Sequence, residues 1–373
     1  MYSIMNTGAR IARNTFEPAR APAGSANKDK ALDLQEYLEK WTGADSARKN
    51  VSATVMCLAL ACIRIAALVR QGSLAGALGG VTGKQSGVDP QKQVDVLAND
   101  LVAEVLRDAP VAWLASEELE VPQLICAGAP LAVAIDPIDG SSNIDANSSI
   151  GTIFTVLPAA DDGNGAAAFM RPGTQQLAAG FAVYGPYTSL VLTVGDGTHI
   201  FTLDPNSNTF IQTAGPVVIP STTREYSINA SNYRHWDDPV RTYTDDVLQG
   251  REGPRGKDFN MRWTASPVAD LYRILSRGGI FLYPGDLREG YAFGRLRLVY
   301  EANPFAWIME QAGGAASTGY QRILEITPSA LHQRIPVLAG SKSEVDYVVR
   351  LHSDPHSLGE RSPLFGRRGL FRT

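Results

Sequence analysis

Three apolar, strand-like runs in this chain each stop at an acid: VAWLAS leads into Glu117-Glu118, LAVAI into Asp136, and LRLVY into Glu301. Buried strands deliver their first polar residue at the mouth of a sheet, and in an open sheet flanked by helices ligands bind at that mouth. Carboxylates from separate strands then meet at one point, where they repel each other unless a cation neutralises them. Oxygen ligand sets of this kind suit magnesium or manganese. For any single acid a cap, a turn or a surface ion pair is the plainer explanation; the joint pattern is what argues for a site.

The segment Asp136-Pro137-Ile138-Asp139-Gly140-Ser141-Ser142-Asn143-Ile144-Asp145 sharpens that argument. Two carboxylates three apart straddle a turn fixed by proline, so their oxygens and the Ile138 carbonyl can face one metal pair. Gly140, Ser141 and Ser142 then supply N–H groups and hydroxyls with little bulk, a setting suited to phosphate. A simple Asp/Gly/Ser turn between two strands has no need of this whole order.

The rest of the chain reads as mixed α/β. Helices are expected over 32–41 and 51–70, followed by a Gly-rich loop over 72–87. Asp89-Pro90 reads as a helix cap and first turn, with Val94, Leu97, Leu101 and Val105 on the core face. Strands are expected over 111–115, 131–135, 152–157, 177–184, 189–194 and 199–203, the last two joined at Gly195-Asp196-Gly197. Pro- and Thr-rich sequence over 214–223 marks a boundary between two subdomains, 31–218 and 219–352. The second holds helices over 267–276, 304–312 and 344–351 and strands over 280–283, 296–300 and 337–339. Residues 1–30 read as a flexible arm, and 353–373, with four arginines, as a solvated tail.

Composition excludes several classes. A net charge of -4 and a pI near 5.8 give no general pull toward nucleic acid or an anionic membrane. The run VSATVMCLALACIRIAALVR is interrupted by Arg64 and reads as a core helix, not a membrane span. Cys57, Cys62 and Cys126 read as buried free thiols of a cytoplasmic protein, and the five histidines have no metal spacing among themselves.

DPIDGSSNID, preceded by Ser116-Glu117-Glu118, resembles the signature of the class I fructose-1,6-bisphosphatases, within the lithium-sensitive metal phosphatase superfamily. The resemblance runs from about residue 50 to 351 and includes GVDPQKQVDVLANDL (87–101), YSINASNY (226–233), PVADLYR (267–273), GGIFLYP (278–284) and GRLRLVYEANPFAWIMEQAGG (294–314). It implies a layered α-β-α-β-α sandwich, an α/β fold assembled as a homotetramer. The activity implied is removal of the 1-phosphate of fructose 1,6-bisphosphate, in gluconeogenesis or the Calvin cycle, with two or three Mg2+ per subunit and Mn2+ able to substitute.

By the family pattern Glu117, Asp136, Asp139 and Glu301, the Ile138 carbonyl, and Asp89 from the loop before a helix would hold the metals. Asp95 and Glu118 resemble the pair that activates the attacking water. Asn229, Arg262, Trp263, Tyr283 and Arg295 stand where the family binds the second phosphate and the sugar, Arg262 crossing from a neighbouring subunit. Trp263 replaces the usual Tyr, Arg295 the usual Lys, and Ala230-Ser231 the usual Glu-Gly, which keeps sedoheptulose 1,7-bisphosphate open as a second substrate. Members inhibited by AMP carry a Lys-Tyr pair ahead of the DPIDG strand and an Arg after the next. Pro130-Leu131 and Pro158 occupy those places, so insensitivity to AMP is expected. An inositol or nucleotide monophosphatase on the same metal core, or an inactive binding protein, would not need the second phosphate clamp or the full set of acids.

Overall fold

Strand alternation and helix stripes sort the chain into five stacked layers. The structure, a computed structural model, describes residues 31–75, 80–86, 89–160 and 163–354, with backbone alone over 81–86 and 89–92. The arm 1–30 and the tail beyond 354 lie outside the described residues. The outer layer comprises α1 (Leu34–Thr42), α2 (Ser46–Arg70) and α3 (Gln93–Val105). Asp33 opens α1 with a capping box, its carboxylate taking the Glu36 N–H at 2.8 Å. Asp45 opens α2 by accepting from the Ala47 and Arg48 amides at 2.8 and 3.2 Å.

Between α2 and α3 the expected open loop contains a hairpin of β1 (Val81–Ser86) and β2 (Asp89–Lys92). Asp89-Pro90 is therefore strand, and the helix begins three residues later, at Gln93. The buried stripe of α3 is also rotated from expectation. Val94, Asp95, Ala98, Val102 and Val105 face inward, whereas Leu97 is exposed, because the helix turns a carboxylate toward the interior.

The second layer is an eight-stranded sheet. Its members are β3 (Val111–Ser116), β4 (Gln123–Leu124), β5 (Leu131–Asp139), β6 (Ile150–Pro158), β7 (Ala178–Tyr184), β8 (Thr188–Thr193), β9 (Thr198–Asp204) and β10 (Thr209–Ala214). The spatial order is β10-β9-β8-β7-β6-β5-β3-β4, and only the β3–β5 pair is parallel. Alternate residues of β7 point each way: Ala178, Ala182 and Tyr184 toward α1–α3, Ala179, Phe181 and Val183 toward the middle of the molecule.

The next strands and helices complete the stack: β11 (Glu225–Ser227), α4 (Asp238–Leu248), β12 (Asn260–Met261), α5 (Pro267–Arg277), β13 (Ile280–Tyr283), β14 (Leu296–Arg297), α6 (Asn303–Gln311), β15 (Ala315–Ser317), β16 (Arg334–Ile335), β17 (Val337–Gly340) and α7 (Lys342–Ser353). Helices α5 and α6 form the central layer. A five-stranded sheet, β12-β11-β13-β17-β15, lies beyond it, with α4 and α7 on its far face. This is the α-β-α-β-α sandwich expected.

Two further expectations fail. LRLVY is not a strand running into Glu301: β14 stops at Arg297, and Leu298–Ala302 is a π-helical turn leading into α6. Cys126 is exposed and Cys57 half-buried, so only Cys62 is a buried thiol. Helix α2 is long and apolar enough to cross a membrane by length and composition, but nine of its residues are buried against the sheet and its neighbouring helices.

Candidate active site

The parallel pairing of β3 and β5 sets Ser116 opposite Ile135, so the residues that follow, Glu117 and Asp136, emerge side by side. The Glu117 N–H donates to the Ile135 carbonyl at 3.0 Å, which fixes that emergence. Asp136 pairs with Ile153 on β6 and Asp139 with Gly151, three steps against two. One extra residue is thus accommodated in a bulge at Pro137-Ile138, a device that re-aims side chains beside sites. The Ile138 N–H donates to Asp136 Oδ1 at 3.0 Å inside this bulge.

Asp139 is held from the other side. Its Oδ2 accepts the Val268 N–H, in the first turn of α5, at 3.2 Å. A Cβ on Gly151 would lie 2.6 Å from Val268 Cγ2 and 2.2 Å from the Ala182 carbonyl, so only glycine lets α5 come this close. Gly140 then turns the chain at φ 77°, the left-handed region, into the one-turn helix Ser141–Asn143. Glu301 arrives on the π-helical turn, its Oε2 accepting the Arg297 N–H at 2.6 Å.

Glu117, Asp136 and Glu301 each bring a carboxylate oxygen within 4.8 Å of the others. Burial pushes the Glu117 carboxyl well above the usual range, nearby Glu301 adds to this, and the Arg297 guanidinium opposes it. Burial likewise raises Asp136, followed by Glu117, Asp139 and Glu301. Asp139 is raised by burial and by Glu301, against the Val268 N–H. Such crowding of hard oxygen donors fits a divalent cation, which supplies the missing positive charge.

One cleft of about 470 Å³ gathers Asp95, Glu117, Glu118, Asp136, Ile138, Asp139, Gly140, Ser141, Ser142, Asn229, Trp263, Tyr283, Arg295 and Glu301. These are the expected residues but for two. Arg262 does not line it; its half-exposed side chain lies 3.9 Å from Glu225. The side chain of Asp89 lies outside the described residues. Asn229, Trp263, Tyr283 and Arg295 also border an adjoining recess with Asn232, Arg288 and Tyr291, which none of the acids of the cluster lines. Asn229 Oδ1 accepts from the Ser231 N–H and hydroxyl at 3.2 and 2.6 Å, which makes its NH2 the end able to donate. Trp263 stacks flat on Phe281, with centroids 6.1 Å apart.

Sequence reasoning missed Arg297, whose buried guanidinium pairs with Glu117. Period-two alternation was the available signal, since it places Arg297 on the same strand face as Arg295. It also missed Ala265, which lines the cleft at φ 60°, a conformation alanine seldom adopts and one the sequence does not announce.

A layered α/β sandwich that presents clustered carboxylates beside a glycine-serine turn is a metal-dependent phosphatase. Family models described as "Fructose-1-6-bisphosphatase, N-terminal domain" and "Fructose-1-6-bisphosphatase, C-terminal domain" match residues 35–215 and 219–353. The chain belongs to the class 1 fructose-1,6-bisphosphatase family. It is similar to "Fructose-1,6-bisphosphatase class 1" of Rhizobium meliloti (strain 1021), 54% identical over 91% of this chain and 98% of the relative. To "Fructose-1,6-bisphosphatase class 1 1" of Xanthobacter autotrophicus (strain ATCC BAA-1158 / Py2) it is 48% identical, covering 97% and 98%. Among solved structures, Leishmania major fructose-1,6-bisphosphatase in holo form superposes with a TM-score of 0.81 at 36% identity, over 87% of this chain and 99% of that one.

Proposed function

We propose that the protein hydrolyses the 1-phosphate ester of fructose 1,6-bisphosphate, releasing fructose 6-phosphate and phosphate. The observation that carries this reading is the polarity of one cleft. Acids cluster in it, and Asn229 and Arg295 line both it and the adjoining recess, which no acid of the cluster lines and where Asp286 is paired with Arg288. A substrate with a phosphate at each end answers both features, whereas a monophosphate would answer only one.

Glu117, Asp136, Asp139 and Glu301, the Ile138 carbonyl and, from the preceding hairpin, Asp89 would hold two or three Mg2+ ions, with Mn2+ able to substitute. When bound, these supply an activated water and neutralise charge on the phosphoryl oxygens. Glu118 and Asp95 orient that water and take its proton. Gly140, Ser141 and Ser142 cradle the transferred phosphoryl group with backbone N–H groups and hydroxyls. Arg295 grips the distant phosphate, Asn229 donates to it, and Trp263 and Tyr283 wall the sugar. We read 31–218 as the metal-binding half and 219–352 as the sugar-phosphate half of a cytoplasmic homotetramer, in which Arg262 reaches a neighbour's cleft.

Trp263 favours one further substrate. An indole in place of a phenol changes the donor and broadens the wall, which suits the longer sedoheptulose 1,7-bisphosphate. Phosphate release from a panel of sugar phosphates with magnesium tests both readings. Fructose 1,6-bisphosphate should turn over fastest; preference for inositol or nucleotide monophosphates would reject the proposal.

A further inference from the structure

The bulge that shapes the metal turn leaves Pro137 and Ile138 without ladder partners on β6, yet the Pro137 carbonyl accepts a 2.7 Å hydrogen bond from Thr152 Oγ1. Thr152 is wholly buried on β6, in the gap of the register. Its hydroxyl also lies 2.7 Å from the phenol of buried Tyr184 on β7.

Counting hydrogens fixes the direction of this chain. A carbonyl cannot donate, so the single hydroxyl hydrogen of Thr152 goes to Pro137. Tyr184 must then donate to Thr152. Every member has to stay protonated. Burial raises the Tyr184 phenol well above its ordinary value, so it keeps its hydrogen.

We infer that Thr152, backed by Tyr184, is a positioning residue that holds the metal-binding turn by its Pro137 carbonyl. The inference rests on the ligand roles proposed above for Asp136, Ile138 and Asp139. Pro137 lies between the two carboxylates, so its carbonyl orientation sets the plane of the peptide that carries Ile138. A buried carbonyl left without its donor would draw the turn out of place to find one. Groups that orient metal ligands typically change metal affinity by ~10–100-fold when lost.

The test uses Thr152→Val, which keeps shape and loses the hydroxyl, Thr152→Ser, which restores it, and Tyr184→Phe, which interrupts the chain one step back. In metal-free protein, the Ile138 amide should exchange hydrogen about tenfold faster in Thr152→Val than in the parent, with the far end of β6 unchanged. Calorimetric Mg2+ affinity without substrate should fall about tenfold and kcat should fall with it, while KM stays within about twofold. Thr152→Ser should recover most of each loss, and Tyr184→Phe should show the same pattern more weakly. Unaltered Ile138 exchange and Mg2+ affinity in Thr152→Val, or no recovery in Thr152→Ser, would overturn the inference. Mg2+ binding in Asp139→Ala equal to the parent would instead overturn the ligand reading, while the exchange measurement still reports on the turn.

Discussion

Glu118 shows how one residue step divides labour at the mouth of β3. Glu117 turns to Asp136 and Glu301, whereas Glu118 faces the same cleft outside that three-acid cluster. Replacing Glu118 with Gln should therefore leave metal and substrate binding intact and lower turnover by ~10²–10⁴, the usual worth of a positioned acid or base. Near-normal turnover in that variant removes it from the mechanism. Arg295 lines both the cleft and the adjoining recess, and on the proposed reading it serves binding and not bond breaking. Arg295→Ala should raise KM for fructose 1,6-bisphosphate far more than it lowers kcat, because a remote clamp binds substrate and transition state alike. A pure kcat defect would place Arg295 in the chemistry. The crowded acids were legible because several apolar runs end in acid and one of them opens a DPIDGSS segment, whereas the roles of Glu118, Asn229, Trp263, Tyr283 and Arg295 came only from the family resemblance. Arg297 was less legible: an arginine in a strand signals only charge until the partner across the cleft is known.

At the scale of elements, the start of α2 decides what the far side of the molecule can bind. Trp41, Arg48, Pro130, Leu131, Pro158 and Trp307 border a pocket of about 490 Å³ there, largely apolar in its wall. The first amides of α2 already donate to Asp45. The Arg48 guanidinium lies over Trp41 at 5.1 Å and donates to its carbonyl at 3.0 Å. Neither proline has an N–H to give, and Asp45 repels an anion. Activity at saturating magnesium should therefore stay flat as AMP rises into the millimolar range; cooperative inhibition at micromolar AMP would defeat the expectation. Strands β6 to β9 were read from the sequence to within two residues of their ends, whereas β5 runs four residues beyond the expected 131–135, through the turn that carries Asp136 and Asp139. The π-helical turn 298–302 was not, because its apolar run is buried and carries no period to separate strand from helix. Nor was the hairpin at 81–92, whose residues show little apolar alternation.

Over the whole molecule, the raised carboxyls of Glu117, Asp136 and Asp139 tie stability to pH. In the unfolded chain they titrate near 4, but in the fold their values lie well above that. Between those limits the metal-free fold binds more protons than the unfolded chain, so its stability falls as pH rises. A divalent cation offsets the crowded charge, so the rise in melting temperature on adding Mg2+ should be larger at pH 8 than at pH 5.5 and should appear in one transition. Equal shifts at both pH values would argue that the cation binds elsewhere. The five-layer stacking itself was legible only through the family resemblance, since contacts between distant layers leave no local trace in the sequence. The cluster is also assembled from opposite ends of the chain: Glu117, Asp136 and Asp139 come from β3 and β5, Arg297 and Glu301 from the approach to α6. During synthesis the first three acids leave the ribosome long before their counter-charge and their fourth companion exist. The nascent protein thus carries three of the four acids before the fourth and the arginine that pairs with Glu117 exist. A message cut short before Arg297 would yield a chain lacking Glu301, one of the three acids that crowd together in the fold.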